Sequence, residues 1–170
     1  MSVSARELWT VIHGMAFGAL FLLAFAGGLA GLYSLRPEWV TVAGLGERLT
    51  RLKFGLWAMA AIAWGTVLTG TYIVYPWYRA GDPTSPRSIL LADPATAEWH
   101  RFGMEWKEHV GWIAPIAATV VAYAVSVYGS RLVHEPKIRR ALIWFFVASF
   151  VAAGIAGMFG AFINKVAPVR

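Results

Sequence analysis

Four histidines carry most of the chemistry open to this 170-residue chain. The sequence has no cysteine, which excludes disulfides, iron–sulfur clusters, thiolate metal sites and covalently attached c-type haem. Imidazole nitrogens bind metals and carry protons, and His13 and His109 both lie inside long apolar stretches. An ionisable side chain in such a stretch is costly and is treated as functional by default. His13 and His109 are therefore the leading candidates for a functional site.

The composition is that of an integral membrane protein. The chain is 58% hydrophobic and only 14% charged, with a mean hydropathy of +0.58. Soluble domains carry roughly a quarter charged residues, so a soluble enzyme and a disordered chain are excluded. The net charge of +6 is expected to reflect loops that face anionic lipid and the cytoplasm, not a nucleic-acid partner.

Four apolar runs are long enough to cross a bilayer, which needs roughly 20 residues per helix. The sequence predicts spans at residues 8–35, 54–78, 106–129 and 138–163. The predicted fold is all-α, a single integral membrane domain built as a four-helix up-down bundle. The Asp93-Pro94 pair is typical of a helix start, so residues 95–107 are expected to be helical and to lie on the surface or run into the third span.

Charge predicts the orientation of these spans. The turns at residues 36–53 and 130–140 carry eight Lys or Arg and three acids, against seven bases and six acids on the other side. Short, dense basic loops stay in the cytoplasm. We therefore expect a multi-pass protein of a bacterial inner membrane with both termini outside.

The two candidate histidines lie at matching depth. His13 lies about one turn inside the first span, and His109 about one turn inside the third, which runs in the same direction. In an up-down bundle these helices are diagonal, with axes on the order of 12–14 Å apart. Two histidines facing each other across that diagonal can ligate one haem iron from both sides. With no open position on the iron, such a haem would transfer electrons.

Other polar residues near this level suggest roles around a haem or a quinone. His100 is about half a turn out of phase with His109 and is expected at the outer surface, near a propionate or a quinone. Arg101 and Lys107 are candidate partners for the haem propionates, with snorkelling at the interface as the alternative. Glu105 shares a helix face with His109 and is a candidate proton acceptor for the imidazole or for a quinol.

In helix count, size and the His13/His109 pair, the chain resembles the small four-helix membrane cytochromes b. The resemblance covers organisation, not a sequence signature. It implies that His13 and His109 are axial ligands of a b-type haem that passes electrons between a quinone and a partner protein. Because His134 has no histidine partner at its depth, a second haem is not expected. A single haem near the outer face suits exchange with a quinone or an external redox protein on that side.

Two other functions remain open. The first is a cofactor-free structural or assembly subunit of a larger membrane complex, in which the glycine-bearing faces pack against sister helices. The second is a metal or proton site formed by His13, Glu105 and His109. With so little mass outside the bilayer, the chain is expected to be a subunit of a larger membrane complex and not itself the catalytic component.

Overall fold

The computed structural model describes residues 3–169, and every regular element in that range is a helix. The four long helices are α1 (Ala5–Tyr33), α2 (Val42–Tyr78), α3 (Trp99–Val133) and α4 (Pro136–Val166). Each is long and apolar enough to cross a bilayer. A short helix, Pro86–Ala92, lies in the connection between α2 and α3. The predicted all-helical architecture with four long apolar helices is therefore confirmed.

The long helices enclose one apolar core. α1 packs against α2 and α4, and α3 packs against the same two helices. The largest fully buried side chains include Phe21 on α1 and Phe146 on α4. Two glycines of α1 make the packing close: a methyl group added at Gly28 would lie 2.6 Å from the Phe146 ring, and one added at Gly31 would lie 2.6 Å from Leu52. Small residues thus let the helices approach, as in membrane bundles.

Polar residues extend two of the helices beyond the predicted spans. α2 begins at Val42, not at residue 54, since the Thr41 side chain caps it by accepting a hydrogen bond from the Gly44 amide. α3 begins at Trp99 and runs directly into the span. Asp93 ends the short helix, which Ser85 caps at its other end. As predicted, Asp93 also caps the turn that leads into α3: its carboxylate accepts from the Ala95 amide at 2.9 Å and its carbonyl from the Ala97 amide at 3.0 Å.

One arginine ties three helix ends together. The Arg139 Nη1 atom donates to the backbone carbonyls of Leu35 (2.6 Å), Leu132 (2.9 Å) and Val133 (3.2 Å). It thereby joins the end of α1 and the last turn of α3 to the start of α4. We call this end of the molecule, with the turns at residues 34–41 and 129–135, the basic end. The opposite end, with both chain termini and the connection 79–98, is the terminal end.

Candidate functional site at the terminal end

Within residues 3–169, the π-helical segments all lie at the terminal end. They are Ile12–Ala19 in α1, Gly70–Val74 in α2 and Trp99–Met104 in α3. A π-helical turn inserts an extra residue and is frequently found at functional sites. The first segment carries His13 and the third carries His100, while the second begins at the glycine that contacts His13. This coincidence makes the terminal end the candidate site.

His13 faces α2 and is held there on two sides. Its Nδ1 atom lies 2.8 Å from the backbone carbonyl oxygen of Thr66. Because a carbonyl only accepts, Nδ1 carries the proton and donates, and the lone pair of the neutral ring is on Nε2. A methyl group added at Gly70 would lie 2.6 Å from the Cε1 atom and 3.1 Å from Nδ1. The His13 ring fits against α2 at this point because Gly70 has no side chain.

His109 makes the same kind of hydrogen bond but faces outward. Its Nδ1 atom lies 2.7 Å from the carbonyl oxygen of Glu105, so Nδ1 again donates and Nε2 holds the lone pair. The residue is exposed and shares its side of α3 with the exposed Phe102, Ile113 and Ile116. The structure thus places His13 towards α2 and His109 on the outer side of α3, and it does not bring the two imidazoles face to face.

Lys107, not His109, faces the interior of the bundle at this level. The two residues are two positions apart, which separates them by roughly 160° around the helix by the shorter way. The Lys107 Nζ atom lies 2.9 Å from the position that a methyl group on Gly160 of α4 would take. Its charge also acts on the His13 ring. The candidate propionate partner therefore lies inside the bundle, where the sequence suggested an interfacial base.

His100 is buried, so its predicted surface position was wrong. It is 7% exposed and its Nδ1 atom lies 2.8 Å from the hydroxyl oxygen of Tyr78, which is 2% exposed. The Arg87 Nε atom donates to the other ring nitrogen at 3.4 Å. Because an arginine only donates, Nε2 accepts, and Nδ1 donates to the Tyr78 oxygen. These contacts tie the short helix and the end of α2 to the start of α3.

The acidic residues of α3 pair with arginine and not with imidazole. Arg79 donates to the Glu105 carboxylate at 3.1 Å and to the Glu108 carboxylate at 3.3 Å. Only the main-chain carbonyl of Glu105 contacts His109. Arg101 pairs with Glu98 at 3.3 Å, with both side chains well exposed. Exposed pairs of this kind contribute about 0–1 kcal/mol, so Arg101 is free to exchange partners.

The connection at the terminal end carries a stable negative charge. The Thr84 hydroxyl and the Thr84 amide both donate to the Asp82 carboxylate. These hydrogen bonds, with a smaller contribution from the nearby Arg6 charge, hold the pKa of Asp82 below its usual value. Asp82 is therefore ionised at neutral pH on this surface.

The groups considered for a metal site do not assemble. Among residues 3–169, no set of three His, Cys, Asp or Glu side chains is close enough to share a metal ion. A site made of His13, Glu105 and His109 is thus not supported. A haem iron needs only two axial nitrogens, and each of these histidines holds one lone pair on Nε2.

Four residues of this region were not predicted from the sequence. They are the His13 contacts Thr66 and Gly70 and the His100 contacts Tyr78 and Arg87. Thr66 accepts the His13 hydrogen bond through its main-chain carbonyl, which every residue type has, so the sequence could not indicate this contact. Gly70 did leave one, because a glycine inside an apolar helix often marks a close approach.

We expect Gly70→Ala to destabilise the protein by about 1–3 kcal/mol, because the added methyl must displace the His13 ring from Thr66. The measurement is the apparent midpoint of thermal unfolding in detergent. Gly14→Ala is the control, since nothing lies within 4 Å of a methyl group there. In a protein that already carries His13→Ala, adding Gly70→Ala should cause no further loss of stability. An equal loss of stability with and without His13 would contradict the conclusion that Gly70 makes room for the His13 ring.

Comparisons with protein-family models, with curated proteins and with solved structures gave no match. The function is therefore proposed from the residues and their geometry.

Proposed function

We propose that this protein is an integral membrane electron-transfer subunit. Its four helices cross a bacterial inner membrane as an up-down bundle, with both termini and the terminal end on the outer side. One b-type haem binds near that face through His13 and His109. It exchanges electrons with a quinone or an external redox protein, as part of a larger membrane complex.

The observation that carries the proposal is the hydrogen bonding of the two imidazole rings. In both His13 and His109 the Nδ1–H group is fixed on a backbone carbonyl oxygen, at 2.8 Å and 2.7 Å. Metal-ligating histidines usually donate this second ring nitrogen to a carbonyl or carboxylate, which orients the ring and raises its basicity. Within residues 3–169, the Nε2 atom of neither ring has a hydrogen-bond partner. Both rings are therefore prepared as nitrogen ligands.

The helices that carry these rings also suit the proposal. α1 and α3 both pack on α2 and α4, which is the arrangement of diagonal helices in a bundle. His13 lies near the start of α1 and His109 near the start of α3, both at the terminal end. A haem spanning a diagonal pair has more room than one squeezed between adjacent helices.

Ligation of one haem by both histidines of the same chain requires α3 to rotate about its axis near its start. His109 must move inward from its exposed position, through most of the roughly 160° that separates it from Lys107. The π-helical segment Trp99–Met104 directly precedes this part of the helix. When a π-helical turn becomes an α-helical turn, one residue leaves that turn and the remainder of the helix rotates by roughly 100° about its axis. The proposal therefore includes a change of register in this segment when haem binds.

The chain's own residues would serve this site in distinct ways. When bound, haem supplies a one-electron iron couple. Arg101 lies in the π-helical segment, before the rotating part of α3, and its exposed ion pair with Glu98 is weak. Arg101 is therefore the candidate base for a propionate, because the rotation that brings His109 inward carries Lys107 out of the interior. Glu105 and Glu108, both paired with Arg79, are the carboxylates at this end that can accept protons from a quinol.

A second function is supported by the outward direction of His109. An imidazole on the exposed side of an apolar helix is costly in lipid, unless a neighbouring subunit hydrogen-bonds it. A cofactor-free structural or assembly subunit would place a partner helix there. In that case Nε2 of His109 accepts a hydrogen bond from the partner and no iron is present.

A dithionite-reduced minus oxidised visible spectrum of the purified protein separates the two functions. The protein is produced in haem-supplied cells and its haem is quantified as the pyridine haemochrome. The electron-transfer proposal expects a sharp b-type α-band at about one haem per chain. A colourless protein, still folded by circular dichroism, would support the structural subunit instead.

A further inference from the structure

A groove at the basic end lies far from the histidines. It has a volume of about 550 Å³ and opens between the first turns of α2 and the end of α3. Its size falls within the range of small-molecule sites. Two bases, Lys53 and Arg131, line it, and no Asp or Glu is among the residues that do.

The side chains of Lys53 and Arg131 form no hydrogen bond or ion pair within residues 3–169. Two neighbouring bases are engaged, whereas Lys137 and Arg140 are exposed outside the groove. Arg51 pairs with Glu47 at 2.5 Å, and Arg139 serves three carbonyls. The groove thus gathers two uncommitted positive charges.

The backbone shapes the polar end of the groove. Gly129 has a φ of 51°, a left-handed conformation that side chains rarely adopt. The Lys53 Nζ atom lies 4.0 Å from the position that a methyl group on Gly129 would take. The sharp turn therefore brings the amine of α2 over the backbone that leads to Arg131, so that both cations border one space.

On the side of the two cations that faces the apolar spans, the neighbouring exposed side chains are apolar. They are Trp57 on α2, which donates a hydrogen bond to Ser126, and Tyr123 and Val127 on α3, of which Val127 lines the groove. Two cations above an apolar strip match a molecule with an anionic head and a hydrocarbon tail. Basic pockets between membrane helices on the cytoplasmic side have this character.

We infer that this groove binds an anionic phospholipid, with the phosphate between Lys53 and Arg131 and an acyl chain running towards the terminal end along Trp57, Tyr123 and Val127. Residues 36–53 and 130–140, at the basic end, carry eight bases against three acids, and this excess supplies the attracting field. The inference needs the helices to span a bilayer but does not depend on haem.

The test uses the full-length protein in a neutral detergent. Its unfolding midpoint is titrated with phosphatidylglycerol and, separately, with phosphatidylcholine. Phosphatidylglycerol should protect, and the Lys53→Gln/Arg131→Gln variant should bind it at least about tenfold more weakly. Lys137→Gln/Arg140→Gln removes the same charge at the same end but outside the groove, and it should retain most of the protection.

Three results would overturn the inference. Equal losses in the two double variants would show general charge attraction without a site. Equal protection by phosphatidylcholine would show that the head-group charge is not recognised. Protection of the same size by inorganic phosphate or glycerol 3-phosphate, lost in the Lys53→Gln/Arg131→Gln variant, would identify a site for soluble anions instead of lipid.

Discussion

His13→Ala and His109→Ala should each reduce low-spin b-type haem from about one per chain to nearly none. Each substitution removes one of the two proposed Nε2 ligands, and a haem held by a single axial nitrogen becomes high-spin and dissociates easily. The hydrogen bonds to Thr66 and Glu105 are accepted by main-chain carbonyls, so the variants leave these acceptors in place. The measurement is the visible spectrum with haem quantification, on protein purified from haem-supplied cells.

His134→Ala is the matched control for these variants. His134 is exposed in the turn before α4, at the opposite end of the molecule. This variant should keep the full haem content. Stoichiometric low-spin haem that persists in either His13→Ala or His109→Ala would contradict the proposed ligand pair. Low-spin haem lost from His13→Ala but kept in His109→Ala would direct attention to Lys107 as the second nitrogen ligand.

Arg139→Ala should cause the largest loss of stability outside the core, about 3 kcal/mol. One guanidinium nitrogen serves the carbonyls of Leu35, Leu132 and Val133, which belong to two different helix ends. Without it these acceptors lose a charged donor, and the ends of α1 and α3 lose their common tie to α4. The apparent thermal midpoint in detergent should fall by roughly 6–12 °C.

Arg140→Ala is the control for this prediction. Arg140 is the next residue along α4, is exposed, and has no hydrogen bond or ion pair within residues 3–169. Its substitution should change stability by no more than about 0.5 kcal/mol. Equal midpoints for the two variants would show that the three carbonyls do not depend on Arg139.

The number and nature of the long helices could be predicted from the sequence, but their starts could not. Apolar runs of more than 20 residues fix the existence of a helix by the thickness of the bilayer. They do not report where the helix begins in water. The first three turns of α2 contain Glu47, Arg48, Arg51 and Lys53, which a search for apolar runs excludes. The Thr41 cap was the signal that marked the true start.

The sequence places both histidines near the starts of their helices, as the structure does, but it does not predict the direction in which they point. The first eleven residues of α3 carry ionisable side chains on all sides of the helix, at positions 100, 101, 105, 107, 108 and 109, so no single polar stripe shows which face turns outward. The π-helical segment Trp99–Met104 adds to the difficulty. An extra residue in a turn rotates the rest of the helix relative to an ideal one. For this reason His109 is exposed while Lys107, two residues earlier, faces the bundle interior.

The contacts of His100 show the same limit. The sequence placed this residue at the surface because it precedes the predicted span. In the structure, the short helix Pro86–Ala92 carries Arg87 to one side of the ring, and Tyr78 at the end of α2 covers the other. Arg87 and Tyr78 precede His100 in the chain by 13 and 22 positions, so both contacts depend on how the connection between α2 and α3 folds. Local residue patterns carry little of that information.

The most direct test of the central claim is near-infrared magnetic circular dichroism of the oxidised protein. In ferric low-spin haem, the energy of the charge-transfer band depends on the two axial ligands and distinguishes two imidazoles from an imidazole and an amine. Ligation by His13 and His109 predicts the band of a bis-imidazole haem. A band typical of an imidazole–amine pair would contradict that ligation and would assign the second position to Lys107. The absence of any low-spin haem signal would contradict electron transfer by this chain.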